Sequence, residues 1–305
     1  LGSNTTGASN VAMGSGALFA NTTGALNTAL GHSALEANTT ADSNTAVGQG
    51  ALYTNTTGAQ NTAVGDRALF ANTTAANNTA VGYYALYANT TGTNNNAFGH
   101  GALDANTTGA RNTALGHNAL TANTTASDNT AVGQASLSAN TTGTRNVAVG
   151  RNTLTTQTTA DDNTAVGYEA LASNTTGTNN NAFGSGALDA NTTGEENCAF
   201  GKNALGASNA SYCAAFGDAA LAANTSGTRG TAVGNNALTA NTTGNYNTAL
   251  GDSCLANNTT GANNTSIGRA SLSSQTTASN NTAVGADVLA QNSTGSENTA
   301  VGAFA

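Results

Sequence analysis

The chain has 305 residues and a formal charge of −8, yet only 7% of its residues are charged, 5% are aromatic, and proline and tryptophan are absent. Seven basic residues in this length argue against nucleic acid or an anionic bilayer as partner, and no apolar run approaches the roughly 18 residues needed to insert into a membrane. The composition is unlike that of an ordinary enzyme, and the absence of an initiator Met and of a signal peptide suggests a processed product or the ordered part of something longer.

From Asn10 onward a 17-residue unit close to Asn-Thr-Ala-Val-Gly-x-x-Ala-Leu-x-Ala-Asn-Thr-Thr-Gly-x-x recurs, opening again at Asn27, Asn44 and Asn61 and so on to Asn298. Counting positions from that opening Asn, position 5 is Gly and position 9 is Leu in all 18 copies, as in Gly14 and Leu18 or Gly285 and Leu289. Low-complexity polar chains often stay disordered. Strict choice of residue by position is instead the mark of a solenoid whose turns stack. The expected fold is all-β: a β-solenoid (β-roll or β-helix) of about 18 stacked 17-residue coils, a single continuous repeat from 1 to 305 with one irregular 16-residue unit at 197–212.

Within a coil, positions 1–5 read as a short strand ending at a glycine turn. Position 4 is always apolar (Met13, Leu30, Val47, Phe98, Ile267) and is expected to point inward with Leu at position 9. Position 3 is Ala except at Ser266; neighbouring strand residues face opposite ways, so its uniformity implies an outward Ala face closely packed against something else. Positions 12–14, Asn-Thr-Thr, read as a second extended segment whose amides form ladders along the stack. All 22 charged residues fall at positions 6, 7, 10, 16 and 17, which marks the outer turns. At the usual strand spacing, 18 coils predict a rod on the order of 85 Å long.

The pentad Asn146-Val147-Ala148-Val149-Gly150 resembles the head repeats of trimeric autotransporter adhesins, and the longer unit with Ala-Leu-x-x-Asn-Thr-Thr-Gly resembles repeats of bacterial and phage tail-fibre-like surface proteins. The resemblance implies a parallel left-handed β-roll, a trimer and a place at a cell surface.

No nucleophile–base pair, phosphate-binding glycine loop or paired carboxylates on a cleft stand out, so no catalytic residue, cofactor or metal site is expected. His100 and His117 share position 6 of consecutive coils and are expected to stack, without the further ligands zinc requires. Phe19, Tyr53, Phe70, Tyr83, Tyr84 and Tyr87 cluster on outer positions of the first five coils as a lateral contact or ligand patch. Cys198 and Cys213 flank the short unit, where a disulfide staple and free thiols are both open readings. Asn-x-Thr sequons at position 12 admit glycan only if that Asn faces outward.

The terminal residues are in register: the chain starts at position 9 with Leu1 and ends at position 8 with Ala305. A second copy stacked head to tail would continue the pattern through Leu1, Leu289, Val301, Phe304 and Ala305. The expected function is thus a structural fibre, extracellular or at a cell surface, built from copies of itself by head-to-tail and lateral association, with surface glycans or other cells as further partners. The alternatives are the shaft of a trimeric adhesin or tail-fibre-like protein, and an ice-binding solenoid with one rank of Thr.

Overall fold

The computed structural model describes all 305 residues. It is all-β: 18 three-residue strands, every observed pairing parallel, in a β-solenoid of 17-residue turns. The chain forms two compact units, Leu1–Arg151 and Asn152–Ala305. The first holds β1 (Val11–Met13) to β9 (Val147–Val149), and the second β10 (Thr164–Val166) to β18 (Thr299–Val301). Within each unit the strands pair in register with the same positions of the next coil, as Thr62, Ala63 and Val64 do with Thr79, Ala80 and Val81.

The strand faces the other way from the sequence expectation. Ala at position 3 is the buried residue, fully so in Ala29, Ala63, Ala114 and Ala232, while position 4 points outward: Leu30 is 42% exposed, Leu115 48% and Leu250 46%. The physical reason is the width of the core. A coil of 17 residues encloses little space, and Leu18, Leu35 and their counterparts fill it from position 9, leaving room opposite for a methyl group only. The uniformity of position 3 is therefore a volume constraint from within, and the apolar rank lies on the outer face of the sheet.

The Asn-Thr-Thr segment is not a second strand; it bends, and each coil contributes one strand. The amide ladder is nevertheless present. Asn38 at position 12 donates from Nδ2 to Asn21 Oδ1 of the preceding coil at 2.8 Å and to its own unit's Ala41 carbonyl at 3.1 Å. Asn27 at position 1 donates to that same carbonyl at 2.8 Å, and its Oδ1 accepts the Asn44 backbone N–H at 2.9 Å. Both amides are fully buried, and each is saturated by neighbours above and below, which is how a polar core avoids the cost of unpaired groups. Thr22 at position 13 gives its hydroxyl to the Thr39 carbonyl at 3.0 Å, whereas position 14, as in Thr23 and Thr40, is exposed.

Two turn features explain the invariant residues. Position 5 has φ between +123° and +146°, and a Cβ added at Gly116 would stand 2.5 Å from the Gly133 carbonyl oxygen of the next coil; only glycine satisfies both conditions. Position 9 is left-handed as well, with φ of 52° at Leu18 and 52° at Leu120. Leucine accepts that conformation at a cost of about 1–2 kcal/mol, outweighed by complete burial of its side chain.

The irregular coil keeps its strand register: β12 (Cys198–Phe200) pairs with β13 (Ala214–Phe216), Cys198 opposite Ala214 and Phe200 opposite Phe216. The missing residue is taken from the Asn-Thr-Thr bend, where Ser208 and Asn209 stand at positions 12 and 13. In regular coils the position-13 carbonyl accepts up to three backbone N–H groups of the coil before it, as Thr22 does from Thr5, Thr6 and Gly7. Here the Asn209 side-chain oxygen takes that place, accepting from the N–H groups of Thr192, Thr193 and Gly194 at 3.1, 2.9 and 3.3 Å.

Candidate functional site

A solenoid coil fixes its outer side chains in ranks, because position n of every coil stands above position n of the last. A ligand site therefore arises only where several adjacent coils change their outer residues together. Coils three to seven do this. At position 10, Tyr53, Phe70 and Tyr87 stack with centroids 5.0 and 5.3 Å apart and planes tilted by 8° and 16°. Tyr87 meets Tyr84 at 4.6 Å, Tyr84 meets Tyr83 at 4.3 Å, and the series continues from Tyr83 to His100 at 5.2 Å and from His100 to His117 at 5.0 Å. Five of the six tyrosine and phenylalanine residues expected to cluster are thus joined to one another and to the histidine pair.

Phe19 stays apart. Glu36 occupies position 10 between Phe19 and Tyr53, and Phe19 is 56% exposed at the start of the first unit. Arg67 lies over the Tyr84 ring, 5.7 Å from its centroid, and donates to the Tyr84 hydroxyl. That bond and the hydroxyl's partial charge hold the guanidinium above its ordinary value. Tyr83 is raised too, chiefly by its hydrogen bond with Tyr84.

Beside the start of this stack the surface is concave. Position 7 is Gly50, flanked by Ser33 below and Arg67 above, and the missing side chain leaves a depression of about 220 Å³ lined by His32, Ser33, Gln49, Gly50, Tyr53, Arg67 and Phe70. Phe70 leans over it: its Cδ2 and Cε2 are 3.3 and 3.4 Å from where a Gly50 Cβ would stand. Nothing in the sequence marked Gly50, since glycine at position 7 also occurs at Gly16, Gly101 and Gly186, and Gly16 too is followed three positions on by an aromatic residue, Phe19.

A second outer cluster is the sandwich Tyr212, Arg229 and Tyr246, all at position 17, with the guanidinium 5.1 and 5.6 Å from the two rings. On the strand face, Phe183, Phe200 and Phe216 stack at 4.5 and 5.2 Å. Arg111 holds Asp128 by two bonds of 2.6 and 2.9 Å, which lowers the Asp128 pKa. Burial pushes Asp104 and Asp189, both at position 10, up from the usual carboxylate range.

The disulfide reading is not realised. Cys198 and Cys213 are free thiols, because position 2 points out of the coil and position 1 into it: Cys198 is half-exposed, while Cys213 is buried with its Sγ 3.3 Å from the Gly227 carbonyl. Burial raises both thiols above their ordinary value. Cys254, also free and buried, sits 3.2 Å from the hydroxyls of Ser266 and Ser271. The sequon asparagines Asn21, Asn38, Asn89, Asn191 and Asn241 at position 12 are buried in the amide ladder and closed to glycan, whereas Asn4, ahead of β1, is exposed and Asn292 partly so. No group of three or more His, Cys, Asp or Glu side chains is placed to hold a metal ion.

The residues of the expected assembly junction lie at the two outermost coils. Leu1 is 45% exposed, Val301 70% and Phe304 80%, and Leu289 and Ala305 help line a depression of about 700 Å³ beside Asp287, Asn292 and Phe304. No protein-family model matches the chain, and no curated protein matches it in sequence, so the functional reading rests on the coil itself.

Proposed function

We propose that the protein is a structural fibre element of an extracellular or cell surface, non-catalytic, which associates with copies of itself through its strand face and through the edges of its outermost coils. The observation that carries this reading is the outward apolar rank at position 4. In the first unit it runs Met13, Leu30, Val47, Val64, Val81, Phe98, Leu115, Val132 and Val149, flanked at position 2 by Thr, Val or Asn, and no charged residue stands at either position. A contiguous uncharged stripe of this kind is what a lateral partner covers. A sister chain presents an identical stripe of the same length and period.

The coil edges support the head-to-tail part. Val301 and Phe304 are uncovered there, and another coil of the same 17-residue register is the cover that suits them, supplied by a second copy or by further residues of the same polypeptide. The trimeric shaft of an adhesin or tail-fibre-like protein is the second reading, favoured by the same strand face and by the resemblance of the pentad. Ice binding is weaker, because the position-13 hydroxyls are spent on carbonyls, and of the outward Thr ranks left, at positions 14 and 2, the second is interrupted by Val11, Asn96, Val147, Asn181, Cys198 and Ala214.

The test is the size of the purified chain by light scattering and cryo-electron microscopy, alone and with Val64→Lys and Val81→Lys together. Oligomers or filaments that fall to monomers in the double variant, with an unchanged β-type circular dichroism spectrum, support lateral association. A wild-type chain that stays monomeric at high concentration overturns it. Discrete trimers favour the shaft and open filaments the fibre.

A further inference from the structure

We infer that the depression around Gly50 is a binding site for one pyranose ring of a neutral glycan. Its walls combine the two things such a ring needs. Tyr53 and Phe70 offer apolar surface for the sugar's C–H groups. Gln49, Ser33, His32 and Arg67 surround the same space with amide, hydroxyl, imidazole and guanidinium groups that donate to and accept from ring hydroxyls. The aromatic stack starts here: Tyr53 has no ring before it at position 10, and Glu36, which stands there instead, turns its carboxylate toward the coil below, where Oε2 comes 3.0 Å from where a Gly16 Cβ would stand. The volume of about 220 Å³ is below the ~300 Å³ at which drug-sized pockets begin, and suits a single hexose rather than a peptide or a lipid chain. Arg67 is already bonded to Tyr84 and lies 3.9 Å from Asp66, so the depression presents a fixed donor and not an unpaired cation, which favours a neutral sugar over an acidic one.

The repeat itself supplies substitutions the fold accepts. Position 7 is Asn in Asn118, Asn203 and Asn236, with φ of 54°, 54° and 53° against 64° at Gly50, so Gly50→Asn fills the depression at a small left-handed backbone cost that other coils already carry. Position 10 is Ala in Ala172, Ala222 and Ala256, so Tyr53→Ala removes the ring without breaking the coil.

The full chain is titrated with the methyl pyranosides of glucose, galactose, mannose and N-acetylglucosamine, read by saturation-transfer NMR and calorimetry. Saturable binding of at least one of them is expected, abolished in Gly50→Asn, weakened at least tenfold in Tyr53→Ala, and unchanged in Tyr246→Ala, which alters an exposed ring elsewhere. Failure of all four sugars to bind, or binding that survives Gly50→Asn, overturns the assignment. The self-association measurement is separate, so a chain that assembles without binding sugar refutes this inference alone.

Discussion

At the scale of single residues, the chain lines a narrow Leu and Ala interior with buried amide groups that bond one another and the backbone, Asn140 Oδ1 and Asn191 Oδ1 alone in the ladder having no partner. Asn106 donates to Asn89 Oδ1 at 2.9 Å and to the Gly109 carbonyl at 3.0 Å, and accepts from Asn123 at 2.8 Å. Asn106→Asp removes the donor and sets a buried carboxylate against two oxygens; a loss of about 3 kcal/mol is expected from the shift in denaturant midpoint. Gly116→Ala is expected to cost at least as much, about 3–5 kcal/mol, because its methyl would meet a backbone oxygen that every neighbouring coil holds in place. Asp104 gives a prediction of opposite sign. Its folded pKa is raised by burial above the ordinary carboxylate value, so the folded state favours the protonated acid and the stability this supplies is lost as pH rises through the folded pKa. Asp104→Asn should therefore raise the melting temperature at pH 7 and lose that advantage at pH 3.

At the scale of the coil, inward Leu at position 9 and the glycine turn at position 5 were legible in the sequence, since both residues are invariant and their roles follow from size and φ. The identity of the buried strand residue was not. An invariant Ala reads equally as an outer contact or as a narrow interior, and only the distance across the coil decides between them. The left-handed Leu was also hidden, because that conformation is nearly forbidden to leucine in isolation and is imposed by the stack. Leu120→Ala keeps the backbone cost and forfeits the burial, with an expected loss of about 3 kcal/mol in the denaturation midpoint. Of the candidate ligand site, the aromatic cluster was foreseeable from spacing alone, but the depression at Gly50 depends on the way Phe70 leans across it, which no spacing encodes.

At the scale of the whole molecule, charge is confined to outer turns and cohesion runs through uncharged ladders. Apart from the acid-side dependence that the half-buried Asp104 and Asp189 carboxyls bring, stability is therefore expected to vary little between pH 4 and pH 9 and with added salt, in contrast to proteins held by paired charges; melting temperatures across that range check it. Cohesion is also between neighbours only. Excising one whole unit, residues 95–111, should leave the circular dichroism spectrum unchanged in form, whereas excising 95–102 alone should cost the adjoining coils their order.

The side-chain oxygen of Asn209, standing in for a missing main-chain carbonyl, carries this last point further. A deletion of one residue is absorbed on the arc of the coil that has no strand, and the strand beyond it resumes opposite the same partners. A one-residue deletion is expected to be repairable by a single amide when it falls in the bend and to break the sheet when it falls in the pentad, so that unit length is free to shorten at one place while the coil keeps its register.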